Sequence, residues 1–209
     1  MFADIPLWHT ALSLAGSYIS GAVPYGLILA LVFCRIDPRK AGSGNIGTTN
    51  VARLCGKPLG LATLLLDALK GLVPVWLAVY FDFNLYEASA IALCAVLGHM
   101  FPIFLKFKGG KGVATTVGIF VPLALWQLAV SGVICLAVIF ASGFVSAGSL
   151  VLIFALNVIL AVFGPRELLP LALIILALIV IRHRENIGRL LRGQEKPWQK
   201  KTRTQKDNP

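Results

Sequence analysis

Three stretches hold most of the side chains that could do polar chemistry, and they lie far apart in the chain: residues 41–53 (AGSGNIGTTNVAR), 98–115 (GHMFPIFLKFKGGKGVAT) and 181–190 (IRHRENIGRL). In the first, Gly42, Gly44 and Gly47 let the backbone curl until successive N–H groups converge, a nest suited to phosphate. Ser43, Thr48, Thr49 and Asn50 add neutral donors, and Arg53 adds a planar fork for two phosphate oxygens. A helix starting near Thr49 would turn its positive end towards the same anion. The glycines also satisfy G-x-G-x-x-G, but the dinucleotide fingerprint needs a preceding strand, and here an apolar run and Arg35-Ile36-Asp37-Pro38-Arg39-Lys40 come first. No Gly-Lys-Ser/Thr follows, so the P-loop pattern fails too. An anion cradle and a plain glycine-rich turn remain; thirteen residues this rich in Gly, Ser, Thr and Asn exceed what a turn requires.

In the second stretch Lys106, Lys108 and Lys111 fall within six residues, and Gly109, Gly110 and Gly112 surround the last of them. The positive-inside rule alone would explain the lysines. It does not explain the glycines, which suit a backbone pressed close to a ligand while ammonium groups hold a second phosphate. His99 stands at a helix end, either as a packed polar residue or as a functional one. In the third stretch His183 and Asn186 are three apart, hence on one helix face, and Arg182 and Arg189 share a face seven apart. A basic anchor at a membrane edge accounts for the arginines but not for His183 and Asn186.

A membrane must position these stretches. Of 209 residues, 57% are hydrophobic and 13% charged, with a mean hydropathy of +0.83; a soluble domain is about 45–50% apolar and about 25% charged. Residues 5–34, 58–66, 71–81, 88–105, 112–165 and 168–181 carry no formal charge. The basic residues cluster in 35–57, 106–111 and 182–206, with five, three and nine respectively, and cytoplasmic loops collect Lys and Arg. Those three regions therefore read as inside; the N-terminus and the acidic connector 82–87 read as outside. Between 112 and 181 the number of crossings must be even. Four of about 17 residues fit a bilayer of about 30 Å, whereas two of about 35 do not. Breaks are expected near 126–127, 142–149 and 164–166. The expectation is an all-α integral membrane protein, a seven-transmembrane-helix bundle with its N-terminus outside and C-terminus cytoplasmic; five spans is the alternative count.

Asp67 and Lys70 lie well inside one span, at i and i+3, where they can pair and should face the bundle interior. Cys34, Cys55, Cys94 and Cys135 share no metal spacing and read as buried thiols, with neither disulfide nor metal expected. Residues 1–193 read as one membrane domain, and 194–209 as a basic, flexible tail without chemistry of its own.

Together the three stretches, with Leu66-Asp67-Ala68-Leu69-Lys70-Gly71, resemble the bacterial acyl-phosphate:glycerol-3-phosphate acyltransferases, the PlsY family, over the chain up to about Arg192. The resemblance implies seven spans, a bacterial inner-membrane location and a cytoplasmic-side active site. It implies transfer of a fatty acyl group from acyl phosphate to the 1-hydroxyl of sn-glycerol 3-phosphate, giving lysophosphatidic acid and inorganic phosphate, the first step of bacterial phospholipid synthesis. It implies neither acyl-CoA nor acyl carrier protein as donor, and neither metal nor cofactor. The expected partners are the two substrates and membrane lipids, with no nucleic acid. The H-x-x-x-x-D dyad of other glycerophosphate acyltransferases is absent: Leu14, Phe104 and Gly188 stand five positions after His9, His99 and His183.

In this reading Ser43, Asn45, Thr48, Thr49 and Asn50, with the Gly44 and Gly47 backbone, hold the phosphate of the acyl donor. Arg53, Lys108, Lys111, His183 and Asn186 hold glycerol 3-phosphate and orient its hydroxyl. His99 and Lys106 support the second loop, and Gly109, Gly110 and Gly112 bring its backbone close to substrate. Ser43, Lys111, His183 and Asn186 are the expected catalytic residues. An acyl phosphate is already activated, so positioning and charge stabilisation can suffice. The proton acceptor is either His183 or the substrate's own phosphate; basic surroundings depress a histidine's proton affinity and favour the phosphate. The rival class is a transporter for a phosphorylated solute, whose site would lie near the midplane on broken helices rather than at helix ends.

Overall fold

Prolines and glycines decide where the long apolar runs stop being helix. The computed structural model describes residues 7–198, as ten α-helices: α1 (Leu7–Ala22), α2 (Tyr25–Cys34), α3 (Thr48–Cys55), α4 (Lys57–Tyr80), α5 (Leu85–Met100), α6 (Val113–Leu123), α7 (Leu125–Ser142), α8 (Val145–Phe163), α9 (Leu169–Arg182) and α10 (Arg184–Leu191). Short 3-10 turns occupy Ile103–Leu105 and Arg166–Leu168. Pro24, which cannot donate a helical hydrogen bond, separates α1 from α2.

Five segments are long and apolar enough to cross a bilayer: Trp8–Cys34, Lys57–Tyr80, Leu85–Leu105, Leu125–Ser142 and Val145–Phe163. Two further apolar helices are shorter, α6 with 11 residues and α9 with 14. The charge-free run 112–165 divides into α6, α7 and α8. Its first break comes at Ala124 (φ −158°, ψ 57°), just ahead of the expected 126–127, because Pro122 weakens the last turn of α6.

Small residues set the helix spacing. A Cβ at Gly21 or Gly98 would run into the backbone across the α1–α5 contact, and one at Gly71 or Gly118 into that across α4–α6; such close approach is how helices pack where lipid gives no hydrophobic drive. The core joins Val75, Ala92, Phe120, Leu156, Leu160 and Ile175. Outside, Phe33, Val133, Phe140, Phe154 and Phe163 are each more than 60% exposed, a surface suited to acyl chains rather than water.

Inside the bundle Lys70 Nζ lies 2.9 Å from Asp67 Oδ1, the expected ion pair, and donates to the Val23 carbonyl at the α1–α2 break, 3.0 Å away. His99 Nδ1 stands 3.7 Å from the same Asp67 oxygen. At one end of α5, Asn84 and Glu87 form a capping box. At the other end of the bundle, Cys34 and Cys55 come together with Cα atoms 5.9 Å apart. Cysteine spacing carries no sign that the ends of α2 and α3 meet. Cys94 and Cys135 are free. The ends of α2, α5 and α9, the starts of α4 and α6, and the short helices α3 and α10 belong to this same end, so all three candidate stretches do too.

Candidate active site

The first loop is organised around Asn50, which is buried. Its Oδ1 accepts from the Ser43 N–H at 2.9 Å; its Nδ2 faces the carbonyls of Pro38, Ala41 and Asn45 at 3.0, 3.1 and 2.8 Å. The amide is thus spent on loop backbone. Gly42 and Gly44 adopt φ values of +66° and +70°, the left-handed region open to glycine, and any Cβ at Gly42 would meet the Asn50 amide. Asn45 Oδ1 accepts from the Gly47 N–H at 2.8 Å. Helix α3 then starts at Thr48 with no side chain capping it, so its first-turn N–H groups can serve an anion. Ser43 and Gly44 are exposed and Thr48 and Thr49 half-buried. Arg53 reaches the far end of the cluster, where its Nη2 donates to the Lys196 carbonyl at 2.9 Å.

The second loop turns back on itself through Lys106 and Phe107, both left-handed (φ 51° and 62°). Residues 109–110 then run along the last turn of α5. The Gly109 N–H donates to Met100 O and the Gly110 N–H to His99 O, each at 3.1 Å. Side chains are excluded there, since a Cβ on either glycine would overlap His99 or Pro102. On the other side, Arg182 donates from Nε to Gly110 O at 3.0 Å and from Nη2 to Gly109 O at 2.5 Å. Lys111 follows directly, and its Nζ donates to Asn186 Oδ1. Lys106 and Lys108 are exposed. Neither has a side-chain hydrogen bond or ion pair among the described residues.

In the third stretch His183 lies between α9 and α10, buried, with Nδ1 2.9 Å from the Ile179 carbonyl. That contact selects the tautomer with its proton on Nδ1 and leaves Nε2 an acceptor. Asn186 is buried too. Its Nδ2 donates to Glu195 Oε1 at 2.6 Å, which turns Oδ1 towards Lys111. Glu195 also accepts from Ser146 Oγ at 2.9 Å and from Arg189 Nε at 2.7 Å. Trp198 donates from its backbone to Gly143 O at 3.0 Å, so residues 194–198 cross the cluster from α10 to the α7–α8 turn.

Burial and neighbouring charge govern proton affinity here. Burial, with the nearby Arg189 and Arg182 charges, pushes the Lys111 ammonium down to about 8 against the opposing pull of Glu195 and Glu185. Burial, then the Lys111 charge, pushes His183 down to about 4. Burial would raise Glu195, but hydrogen bonds from Arg189, Asn186 and Ser146 outweigh it and leave the carboxyl below its usual range. Asp37, held by Arg39 hydrogen bonds, falls to about 2. The cluster therefore offers charge neutralisation and oriented donors but no strong proton acceptor.

Lys111 and the 109–110 backbone are brought into direct contact with Asn186 and Arg182 of the third stretch, and Arg53 is tied to the tail that holds Asn186. His99 lies beneath Gly110. Ser146, Arg189 and Glu195 belong to the cluster as well, and sequence reasoning did not select them. Ser146 carries a usable signal, since the expected break at 142–149 falls on the same side as the basic stretches. Glu195 was masked by the solvated look of its tail. The remainder of that tail, residues 199–209, lies outside the described residues.

The family model described as glycerol-3-phosphate acyltransferase matches residues 11–193. Among curated proteins, the chain is 55% identical over 188 residues to a glycerol-3-phosphate acyltransferase of Nitratidesulfovibrio vulgaris, covering 90% of this chain and 58% of that relative's length. It is 56% identical over 187 residues to one of Desulfovibrio desulfuricans, covering 90% and 84%. Among solved structures it is similar to the crystal structure of PlsY, an integral membrane glycerol 3-phosphate acyltransferase, in its glycerol 3-phosphate form. The TM-score is 0.87 and the identity 36%, over 90% of this chain and 95% of that one. The lysophosphatidic acid form of PlsY gives a TM-score of 0.83 at the same identity and coverage.

Proposed function

The chain belongs to the glycerol-3-phosphate acyltransferase family, and from that premise we propose that it transfers a fatty acyl group from acyl phosphate to the 1-hydroxyl of sn-glycerol 3-phosphate. The products are lysophosphatidic acid and inorganic phosphate. The reading extends to seven spans, with α6 and α9 as short crossings completed by the loops and longer helices around them, an outside N-terminus and a cytoplasmic active site in a bacterial inner membrane. The membrane domain is residues 1–193, and the tail that follows adds Glu195 and Lys196 to the site.

The observation that carries the reading is the hydrogen bond from Lys111, in the second stretch, to Asn186, in the third, within a cluster rich in cations. Each substrate brings a phosphate with close to two negative charges, and such a site neutralises them. Lys111, Arg53 and Asn186 hold the phosphate of glycerol 3-phosphate, with Lys108 at the exposed rim. The His183 Nε2 lone pair accepts from the 1-hydroxyl and points its oxygen at the acyl carbonyl carbon. Ser43, Thr48 and Thr49, with the uncapped N–H groups at the start of α3, hold the donor's phosphate, while Gly44 and Gly47, whose N–H groups are given to Ala41 O and Asn45 Oδ1, shape with Asn45 and Asn50 the loop that presents them. Gly109, Gly110 and Gly112 set the backbone under Lys111, His99 packs beneath it, and Lys106 contributes a left-handed turn rather than a side-chain contact.

The hydroxyl oxygen attacks the acyl carbon, the bond from that carbon to the phosphate oxygen breaks, and phosphate leaves. As the new C–O bond forms, the hydroxyl proton leaves its hydrogen bond to His183 Nε2 for a substrate phosphate oxygen, because burial and the Lys111 charge hold His183 down and hydrogen bonds hold Glu195 below its usual range. Membership of an acyltransferase family favours this reading over transport of a phosphorylated solute. The test is phosphate release by purified protein in detergent supplied with acyl phosphate and glycerol 3-phosphate. Release that depends on both substrates, with lysophosphatidic acid formed in equal amount, is expected; no release overturns the proposal.

A further inference from the structure

Arg182 ends an apolar helix at the edge of the bundle, where an arginine usually reaches out to lipid headgroups. This one turns inward. Its Nε and Nη2 are given to the carbonyls of Gly110 and Gly109 at 3.0 and 2.5 Å, and its guanidinium carbon lies 5.7 Å from the Phe101 ring centroid. The opposite edge of the same strand is tied to the carbonyls of Met100 and His99 at the end of α5, groups that a helix terminus leaves unpaired. All four backbone groups of Gly109 and Gly110 are therefore satisfied, half of them by one side chain.

The peptide planes of the strand are fixed by this arrangement. Carbonyl and N–H are antiparallel across a trans peptide, so holding the Gly110 carbonyl also fixes the direction of the Lys111 N–H and the departure of the Lys111 side chain. That side chain meets Asn186, four positions after Arg182 in the chain. One stretch thus grips the second loop twice, at its backbone and at the tip of its lysine. Glycine supplies no side chain of its own to hold such a strand, and an amine could not replace the grip in full, because a fork donates in two fixed directions and an ammonium does not.

We propose that Arg182 is the positioning residue of the second loop: by clamping the Gly109 and Gly110 carbonyls it sets where Lys111 presents its charge to the acceptor's phosphate. The proposal rests on the glycerol 3-phosphate reading given above.

The full chain is purified in detergent as wild type, Arg182→Gln and Arg182→Lys. Each is assayed for phosphate release against each substrate in turn, and each is thermally melted. For Arg182→Gln, KM for glycerol 3-phosphate rises about tenfold or more, a loss of the size expected for a misplaced charged contact. Arg182→Lys, able to hold one carbonyl, falls between Arg182→Gln and wild type. KM for acyl phosphate stays within about twofold in both, as expected for a change confined to the acceptor side. Unchanged KM for glycerol 3-phosphate in both variants overturns the assignment, as does a matching rise for both substrates. Loss of the folded state in both also overturns it, since Arg182 would then serve the fold rather than the loop. A wild type that releases no phosphate refutes the acyltransferase reading instead. Positioning is then judged by glycerol 3-phosphate titration, in which Arg182→Gln must bind more weakly than wild type; equal affinity, or no binding by either, overturns it.

Discussion

Raising the pH from 7 to 9 should switch off the acceptor side of the site through one group. Burial and the neighbouring Arg189 and Arg182 charges bring the Lys111 ammonium down to about 8, with Glu195 and Glu185 pulling the other way. Carboxylates and guanidinium groups do not titrate in this interval, and a phosphate monoester is already a dianion above about pH 6. His183, at about 4, is neutral throughout. A lysine whose proton affinity is lowered keeps its charge below that value and loses it above. The charged fraction falls from about 90% at pH 7 to about 10% at pH 9 for a group titrating near 8. If only the ammonium form binds the acceptor's phosphate, kcat/KM for glycerol 3-phosphate falls about ninefold to tenfold over that range.

The loss should appear in KM and not in kcat, because a bound dianion holds the proton on Lys111 and lifts its titration in the complex. The assay is initial-rate phosphate release at fixed acyl phosphate, with each point corrected for uncatalysed hydrolysis in a protein-free blank. Lys111→Arg is the control: a guanidinium keeps its charge across the range, so activity drops from imperfect geometry but the alkaline limb vanishes. A flat kcat/KM profile in the wild type, or the same limb in Lys111→Arg, refutes the reasoning.

Removing the fork in Arg53→Ala takes away its contact with the Lys196 carbonyl and should raise KM for a phosphorylated substrate by about tenfold or more, read in the same assay; normal kinetics count against the cradle. His183→Gln keeps a hydrogen-bond acceptor and should retain turnover within about tenfold of wild type, whereas complete loss of kcat with unchanged substrate binding makes His183 the base. Asp67→Asn strands the buried Lys70 ammonium and should cost about 3–5 kcal/mol of stability, seen as a lower melting temperature in detergent, while the surviving folded fraction keeps its KM values.

Much of the site was legible because its requirements are local. Gly42, Gly44 and Asn50 advertise a folded-back loop whatever surrounds it, and Gly109 and Gly110 advertise close backbone contact. The Asp67–Lys70 pair was legible because helical spacing alone brings the two together. What could not be read depends on which helix ends meet. The approach of Cys34 to Cys55, the Arg182 grip and the capture of Asn186 by Glu195 are contacts between segments whose separation in the chain carries no geometric information. The role of Asn50 shows the same limit from the other side. Its type fits both a phosphate ligand and a loop brace, and only its burial against Pro38, Ala41 and Asn45 assigns it to the loop. Composition misled at Glu195, since an acidic residue among lysines near a terminus looks like solvated chain until three donors are found on it.

An anion site and a general base make opposing demands. Cations that hold a dianion lower the proton affinity of neighbouring acceptors; here His183 is held down by burial and then by Lys111, and Glu195 by hydrogen bonds from Arg189, Asn186 and Ser146. The groups that could accept the hydroxyl proton in such surroundings are the ones that arrive with the charge the site was built to hold. A phosphate's second proton binds near pH 6, within reach of neutral pH, and the leaving phosphate gains basicity as its bond to the acyl carbon breaks. A protein base would have to be isolated from Lys111 and Arg189 to work, and nothing that touches Asn186 is isolated from them. In the proposed reaction, concentrating positive charge at the meeting of three distant segments serves substrate capture and leaves proton transfer to the substrates themselves.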